Sequence, residues 1–99
     1  MAKKEIRQWI AVYEAAYRRL DGEQVRTMNP ASTFRPAQYN SVDVDFSNVD
    51  IRPREDGQTA VLHADVQYNY GFKRGPPQTP SAQVVWRMRR TSSGWVVEK

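Results

Sequence analysis

The chain has 99 residues, 39% of them hydrophobic and 26% charged, with a formal net charge of +4. That suits one globular domain with a single core. Cysteine is absent and His63 is the sole histidine, which excludes a disulfide framework, a thiolate metal site and a multi-histidine zinc site. No apolar run approaches the roughly 20 residues of a membrane span. The opening "MAKKEIRQWIAVYEAA" lacks the unbroken apolar stretch of a secretory signal, so a cytoplasmic setting without membrane contact is expected.

The first element is an amphipathic helix. Ile6, Trp9, Ile10, Tyr13, Ala16, Tyr17 and Leu20 recur at the helical period and form one stripe. About 17 residues at 1.5 Å each make a rod of roughly 25 Å. Lys4, Arg7, Glu14 and Arg18 fall off the stripe, and Glu14 with Arg18 has the i,i+4 spacing of an ion pair. Asp21 is placed to cap a second helix, with Gln24 three residues on and Gly22 relaxing the corner. Val25 and Met28 extend the apolar face for about two turns, until Asn29 before Pro30 ends it. Ala31 to Asn40, with Phe34 and Tyr39 on either side of Pro36, fits no single element.

Strands follow. In "SVDVDFSNVDI" the apolar positions Val42, Val44 and Phe46 switch parity to Val49 and Ile51, which predicts a bulge at Ser47–Asn48 and a bent strand. "EDGQ" carries the Asp-Gly hairpin signal. The next strand sets Ala60, Leu62, Ala64, Val66, Tyr68, Tyr70 and Phe72 on one face, with His63, Asp65, Gln67 and Asn69 on the other. "RGPPQTP" turns the chain. Ala82, Val84, Trp86 and Met88 then oppose Gln83, Val85, Arg87 and Arg89. A symmetric "KRGPPQT" loop would pair Val66 with Trp86 inside and Asp65 with Arg87 outside, and would set His63 near Arg89. The last strand, "WVVEK", has apolar groups on both parities. The whole predicts an α+β domain over residues 1–99: a long and a short helix packed on a strongly bent antiparallel sheet of about four strands.

"IRQWIAVYEAAYRRLDGEQVRTMNP", "DGQTAVLHADVQY" and "VVWRMRRTSSGWVVEK" together resemble a nuclear transport factor 2-like (cystatin-like, SnoaL-like) domain over nearly the whole chain. The resemblance implies a cone-like, cystatin-like roll, often with a pocket at its mouth. The family includes isomerases, dehydratases, polyketide cyclases and transport adaptors. Many members are accessory domains of larger proteins, bacterial Ser/Thr kinases among them, and dimers through the sheet are common. None of the matching residues is a catalytic signature, so no catalytic residue is carried over.

The aromatic residues Trp9, Tyr13, Tyr17, Tyr68, Tyr70 and Trp86 are the candidate lining of a pocket for a small apolar ligand; packing as plain core is the competing reading. By strand parity His63, Asp65, Asp43 and Asp45 all point outward, so the interior offers no general acid or base. The expected function is therefore a non-catalytic accessory or binding domain without metal or cofactor. A cofactor-independent dehydratase or isomerase is the alternative. Val61, Val85, Arg87 and Arg89 on the outer face are candidates for a homodimer contact or for docking on a parent protein. Residues 52–99 hold eight Lys/Arg against four Asp/Glu, while residues 1–51 are balanced. "RMRR" (Arg87 to Arg90) is the one nucleic-acid-like cluster, and alternation splits it between two faces, which argues for solvated surface over a weak nucleic-acid binder.

Overall fold

The computed structural model describes residues 2–98. Helix α1 spans Ala2–Arg18 and α2 spans Gly22–Met28. After a 3-10 turn at Pro36–Gln38 come β1 (Tyr39–Pro53), β2 (Thr59–Phe72), β3 (Ser81–Thr91) and β4 (Gly94–Val97). The strands form one antiparallel sheet in the order β1-β2-β3-β4. No described helix is long and apolar enough to cross a membrane.

The predicted stripe of α1 is the face that meets the sheet. Ile6, Trp9, Ile10, Tyr13, Ala16 and Tyr17 are buried there. Tyr13 and Leu62 are among the largest fully buried side chains, and each such burial stabilises by about 1.5–3 kcal/mol. Trp9 and Tyr13 meet Trp86 edge-on at 6.2 and 5.9 Å between ring centres, and Tyr17 meets Tyr68 at 6.1 Å. The rod thus lies in the hollow of the sheet.

The corner between the helices differs from expectation in one respect. Asp21 caps α2, accepting the Gln24 backbone N–H at 3.1 Å. The residue that makes the turn, however, is Leu20, at φ 57°. The Leu20 N–H donates to the Tyr17 carbonyl and the Asp21 N–H to the Ala16 carbonyl. These are the two bonds of a Schellman ending, here with leucine at the position glycine usually takes. Gly22 is needed for proximity instead, since a Cβ there would stand 2.9 Å from the Pro36 ring.

Glu14 and Arg18 do not pair with each other. The Glu14 carboxylate accepts the Phe46 backbone N–H at 2.9 Å, and Arg18 donates to Asp43 at 2.9 Å. Both serve to fasten α1 to β1, where a backbone donor and a carboxylate lie within reach.

The parity switch in β1 is a bulge. Ser47 pairs with Asp65 but Asp50 with His63, and Asn48 takes φ 50°. A second shift lies between Tyr39 and Ser41. The hairpin of β2 and β3 corrects the expected register by four residues. Leu62 pairs with Trp86, Val66 with Ala82, Asp65 with Gln83 and Val61 with Arg87, while Arg89 lies opposite Thr59. The reason is the turn. Pairing continues as far as Tyr70 and Gln78, and the chain reverses around Arg74, next to Gly75 at φ 101°. The faces survive this correction, but the Asp65–Arg87 pair does not form; Asp65 accepts from the Asn48 side chain at 2.7 Å. In β4, Trp95 and Val97 point inward and Val96 outward.

Candidate functional site

Five aromatic rings close on one another at one end of the sheet. Tyr17 stands in the last turn of α1, Phe34 in the loop after α2, Tyr39 at the start of β1, and Tyr68 and Tyr70 two apart on the inner face of β2. Ring centres lie at 4.4 Å (Tyr17–Phe34), 5.6 Å (Phe34–Tyr39), 4.9 Å (Tyr39–Tyr70), 5.7 Å (Tyr70–Tyr68) and 6.1 Å (Tyr68–Tyr17). The circuit is closed. Tyr68 and Tyr70 stack at 8°, as expected for alternate residues of one strand face. Phe34 is fixed by its neighbours: its N–H donates to the Ser32 hydroxyl and its carbonyl accepts from Arg26. With Ala31, Ser32 and Thr33, the five rings line a cavity of about 250 Å³.

A line of polar atoms leads into this mouth from the core. The Asn29 side-chain amide donates to the Tyr13 hydroxyl at 3.1 Å. The Tyr13 and Tyr17 hydroxyls are 3.5 Å apart, and those of Tyr17 and Ser32 3.4 Å. Burial raises the ionisation of Tyr13 and Tyr70 far above the usual phenol range, with the Tyr17 hydroxyl adding to it, and the same causes push Tyr68 up to about 12. These hydroxyls therefore stay protonated at neutral pH, and each keeps an O–H able to donate as well as lone pairs able to accept. None of the residues lining the mouth is an acid or a histidine, and among the described residues no group of three or more His, Cys, Asp or Glu is placed to hold a metal ion.

The six aromatic candidates are divided by the structure. Tyr17, Tyr68 and Tyr70 line the mouth. Tyr13 is buried core, and the half-buried Trp86 and Phe46 pack against it, the three ring centres standing 5.9 to 6.1 Å apart. Trp9 stacks on Tyr13 at 4.7 Å and lines a different cavity. Sequence reasoning missed Phe34, Tyr39, Ser32 and Asn29 as members of the site. The signal was the pair of aromatics flanking Pro36, in a segment with no period to orient them.

On the outer face Val85 is 64% exposed and Val61 half-buried, with Arg87 and Arg89 both exposed. Asp43, Asp45 and Asp50 occupy the same face on β1. The "RMRR" run splits as alternation requires, because Arg90 turns inward and binds Glu5 at 2.7 Å.

A bent four-stranded antiparallel sheet wrapped around a long helix is the α+β, cone-like roll that the resemblance implied. Two solved structures from Novosphingobium aromaticivorans share it. One, provisionally named a scytalone dehydratase, superposes with a TM-score of 0.80 over 97% of this chain and 78% of its own, at 10% identity. The other, provisionally named an aromatic ring hydroxylase, has a TM-score of 0.76 over 94% and 81% of the two chains, at 18% identity. At such identities the likeness is one of fold. Neither a family model nor a curated protein sequence matches the chain.

Proposed function

We propose that the chain is a binding module of the nuclear transport factor 2-like superfamily whose mouth holds a small, flat, largely apolar molecule carrying one oxygen acceptor. The closed circuit of Tyr17, Phe34, Tyr39, Tyr70 and Tyr68 around about 250 Å³ carries this reading. The volume lies below the roughly 300–1,000 Å³ of drug-sized sites, which suits a single-ring compound. Protonated tyrosine hydroxyls would orient its oxygen. The dehydratase alternative draws on the name of one structural neighbour. Dehydration needs a group that takes up a proton at neutral pH, and a phenol at about 12 such as Tyr68 is not one. Titration with 4-methylphenol, followed by amide NMR, tests the binding reading. Saturable shifts at Ser32, Phe34 and Tyr68, weakened about tenfold in a Tyr68→Phe, Tyr70→Phe double variant, support it. Shifts confined to other residues, or unaffected by the double variant, refute it.

The outer face favours a second reading, association with another copy. An acidic row on β1 and a basic pair on β3 flank Val61 and Val85, so two copies related by a two-fold axis would set each row against its opposite. Sedimentation equilibrium should then show a dimer that Arg87→Glu with Arg89→Glu dissociates. A monomer at high concentration removes this reading.

A further inference from the structure

The polar line behind the mouth has a direction, and the Asn29 side chain sets it at the inner end. Its oxygen accepts the Ala31 N–H at 3.2 Å, so the group turned to Tyr13, at 3.1 Å, is the amide nitrogen, which can only donate. The Tyr13 hydroxyl is buried, and its one other partner among the described residues is the Tyr17 hydroxyl at 3.5 Å. Its hydrogen therefore goes to Tyr17. The ionisation of Tyr13 agrees: burial raises it most, the Tyr17 hydroxyl raises it further and the Asn29 amide lowers it. Those are the effects on a group that donates to the first hydroxyl and accepts from the amide.

The order passes outward from there. A phenol oxygen, conjugated with its ring, accepts one bond readily. With Tyr13 in that place, the Tyr17 hydrogen is left for Ser32, 3.4 Å away. Ser32 Oγ also accepts the Phe34 N–H, at 3.2 Å. A serine hydroxyl has two acceptor places and one hydrogen. Both places are thus filled from within the protein, and the hydrogen has no acceptor among the described residues. The links of 3.5 and 3.4 Å are long for hydroxyl pairs, so the order rests on the lack of other partners and not on their strength. Ser32 is itself held, because its backbone N–H donates to the Asn29 carbonyl at 2.9 Å. It is half-buried on the wall of the mouth.

We infer that the Ser32 hydroxyl is the specificity-determining group of the mouth, a donor of fixed direction that selects a ligand whose oxygen carries no proton, such as a carbonyl or an ether. Asn29 and Tyr13 are positioning residues: they do not line the cavity, and they act through Tyr17. The hydroxyls of Tyr68 and Tyr70 can turn to donate or to accept, so they do not make this choice. The inference rests on the mouth's binding a small molecule, the function proposed above.

The test compares acetophenone with α-methylstyrene, the same planar frame with a methylene group in place of the oxygen, by amide NMR of the whole chain. Acetophenone should shift Ser32 and Phe34 saturably and bind about tenfold more tightly. In Ser32→Ala that ratio should fall to about one, and Ser32→Thr, which keeps the hydroxyl, should restore it. Tyr13→Phe, a change behind the wall, should lower it to about threefold, since Ser32 is then free to donate to Tyr17. With both compounds still bound at the mouth, a ratio near one in the natural chain, or a ratio that Ser32→Ala leaves untouched, overturns the role of Ser32 and leaves the binding function standing. A ratio that Tyr13→Phe leaves untouched overturns the ordering by Asn29. Failure of both compounds to give saturable shifts at the mouth overturns the inference and the binding function together.

Discussion

The Asn29 amide reaches across from the end of α2 to the Tyr13 hydroxyl in the middle of α1, at 3.1 Å, and ties the two helices at a point closed to water. Among the described residues Asn29 is the one buried polar residue, 7% exposed. Its side-chain oxygen also accepts the Ala31 N–H at 3.2 Å, which starts the chain toward the mouth.

Removing either partner should therefore be felt. Asn29→Ala leaves the Ala31 N–H and the Tyr13 hydroxyl short of a partner, and is expected to cost about 1–3 kcal/mol. Tyr13→Phe strands the amide instead and should cost a similar amount. A double-mutant cycle by urea unfolding should return a coupling of about 1 kcal/mol. Additive costs would show the bond to be energetically idle.

Alkali should unfold the domain earlier than its charge alone predicts. A tyrosine raised in the folded state holds its proton longer than in the unfolded chain, where it ionises near pH 10. Below about pH 10 both states are protonated and stability is complete; above it the unfolded state gains by ionising. Tyr68, at about 12, defines the window, and Tyr13 and Tyr70 add to the loss in the same direction. With partial exposure of Tyr68 and Tyr70 allowed for, roughly 2–4 kcal/mol should be gone by pH 11. Urea midpoints at pH 8, 10 and 11 measure this, and Tyr13→Phe should flatten the decline.

Gly22→Ala is expected to destabilise, against the usual helix preference. Alanine gains up to about 1 kcal/mol over glycine within a helix. Here its methyl would stand 2.9 Å from Pro36 Cδ and 3.0 Å from Cγ, and a proline ring has little freedom to yield. Overpacking of this kind costs about 1–3 kcal/mol, so the net change in thermal unfolding should be a loss. A rise in melting temperature would show that the Pro36 turn moves freely.

Arg87 and Asp65 should be energetically independent, since the register sets them opposite Val61 and Gln83. Each change to alanine at this surface should remain small, and their double-mutant cycle should close to within about 0.3–0.5 kcal/mol. Asp65→Ala with Asn48→Ala should show coupling instead, through the 2.7 Å hydrogen bond across the bulge.

These contrasts show what the sequence carries and what it does not. Period and parity are intensive signals, repeated many times along a helix or strand. They suffice to place the Ile6–Tyr17 stripe, the Ser47–Asn48 bulge and the outward turn of His63 and Asp65. Register is different, because it is decided once, by the turn. "RGPPQTP" offers several centres of symmetry, and the centre at Arg74 next to Gly75 shifts every partner of β3. The mouth was half legible for a related reason. Tyr17, Tyr68 and Tyr70 sit on periodic elements. Phe34 and Ser32 lie in a loop held by Arg26, a contact between side chain and backbone that no local pattern announces.

Strand β1 is an outer edge of the sheet and 15 residues long, which ordinarily invites templated growth of fibrils. Here Glu14 occupies the Phe46 N–H, two register shifts break the strand into shorter pieces, and Pro53 closes it. The helix that fills the hollow thus also polices the rim. Loss of the Glu14 carboxylate would reopen a place where a stranger's strand can add, and self-association into ordered aggregates is the hazard that the fold keeps shut.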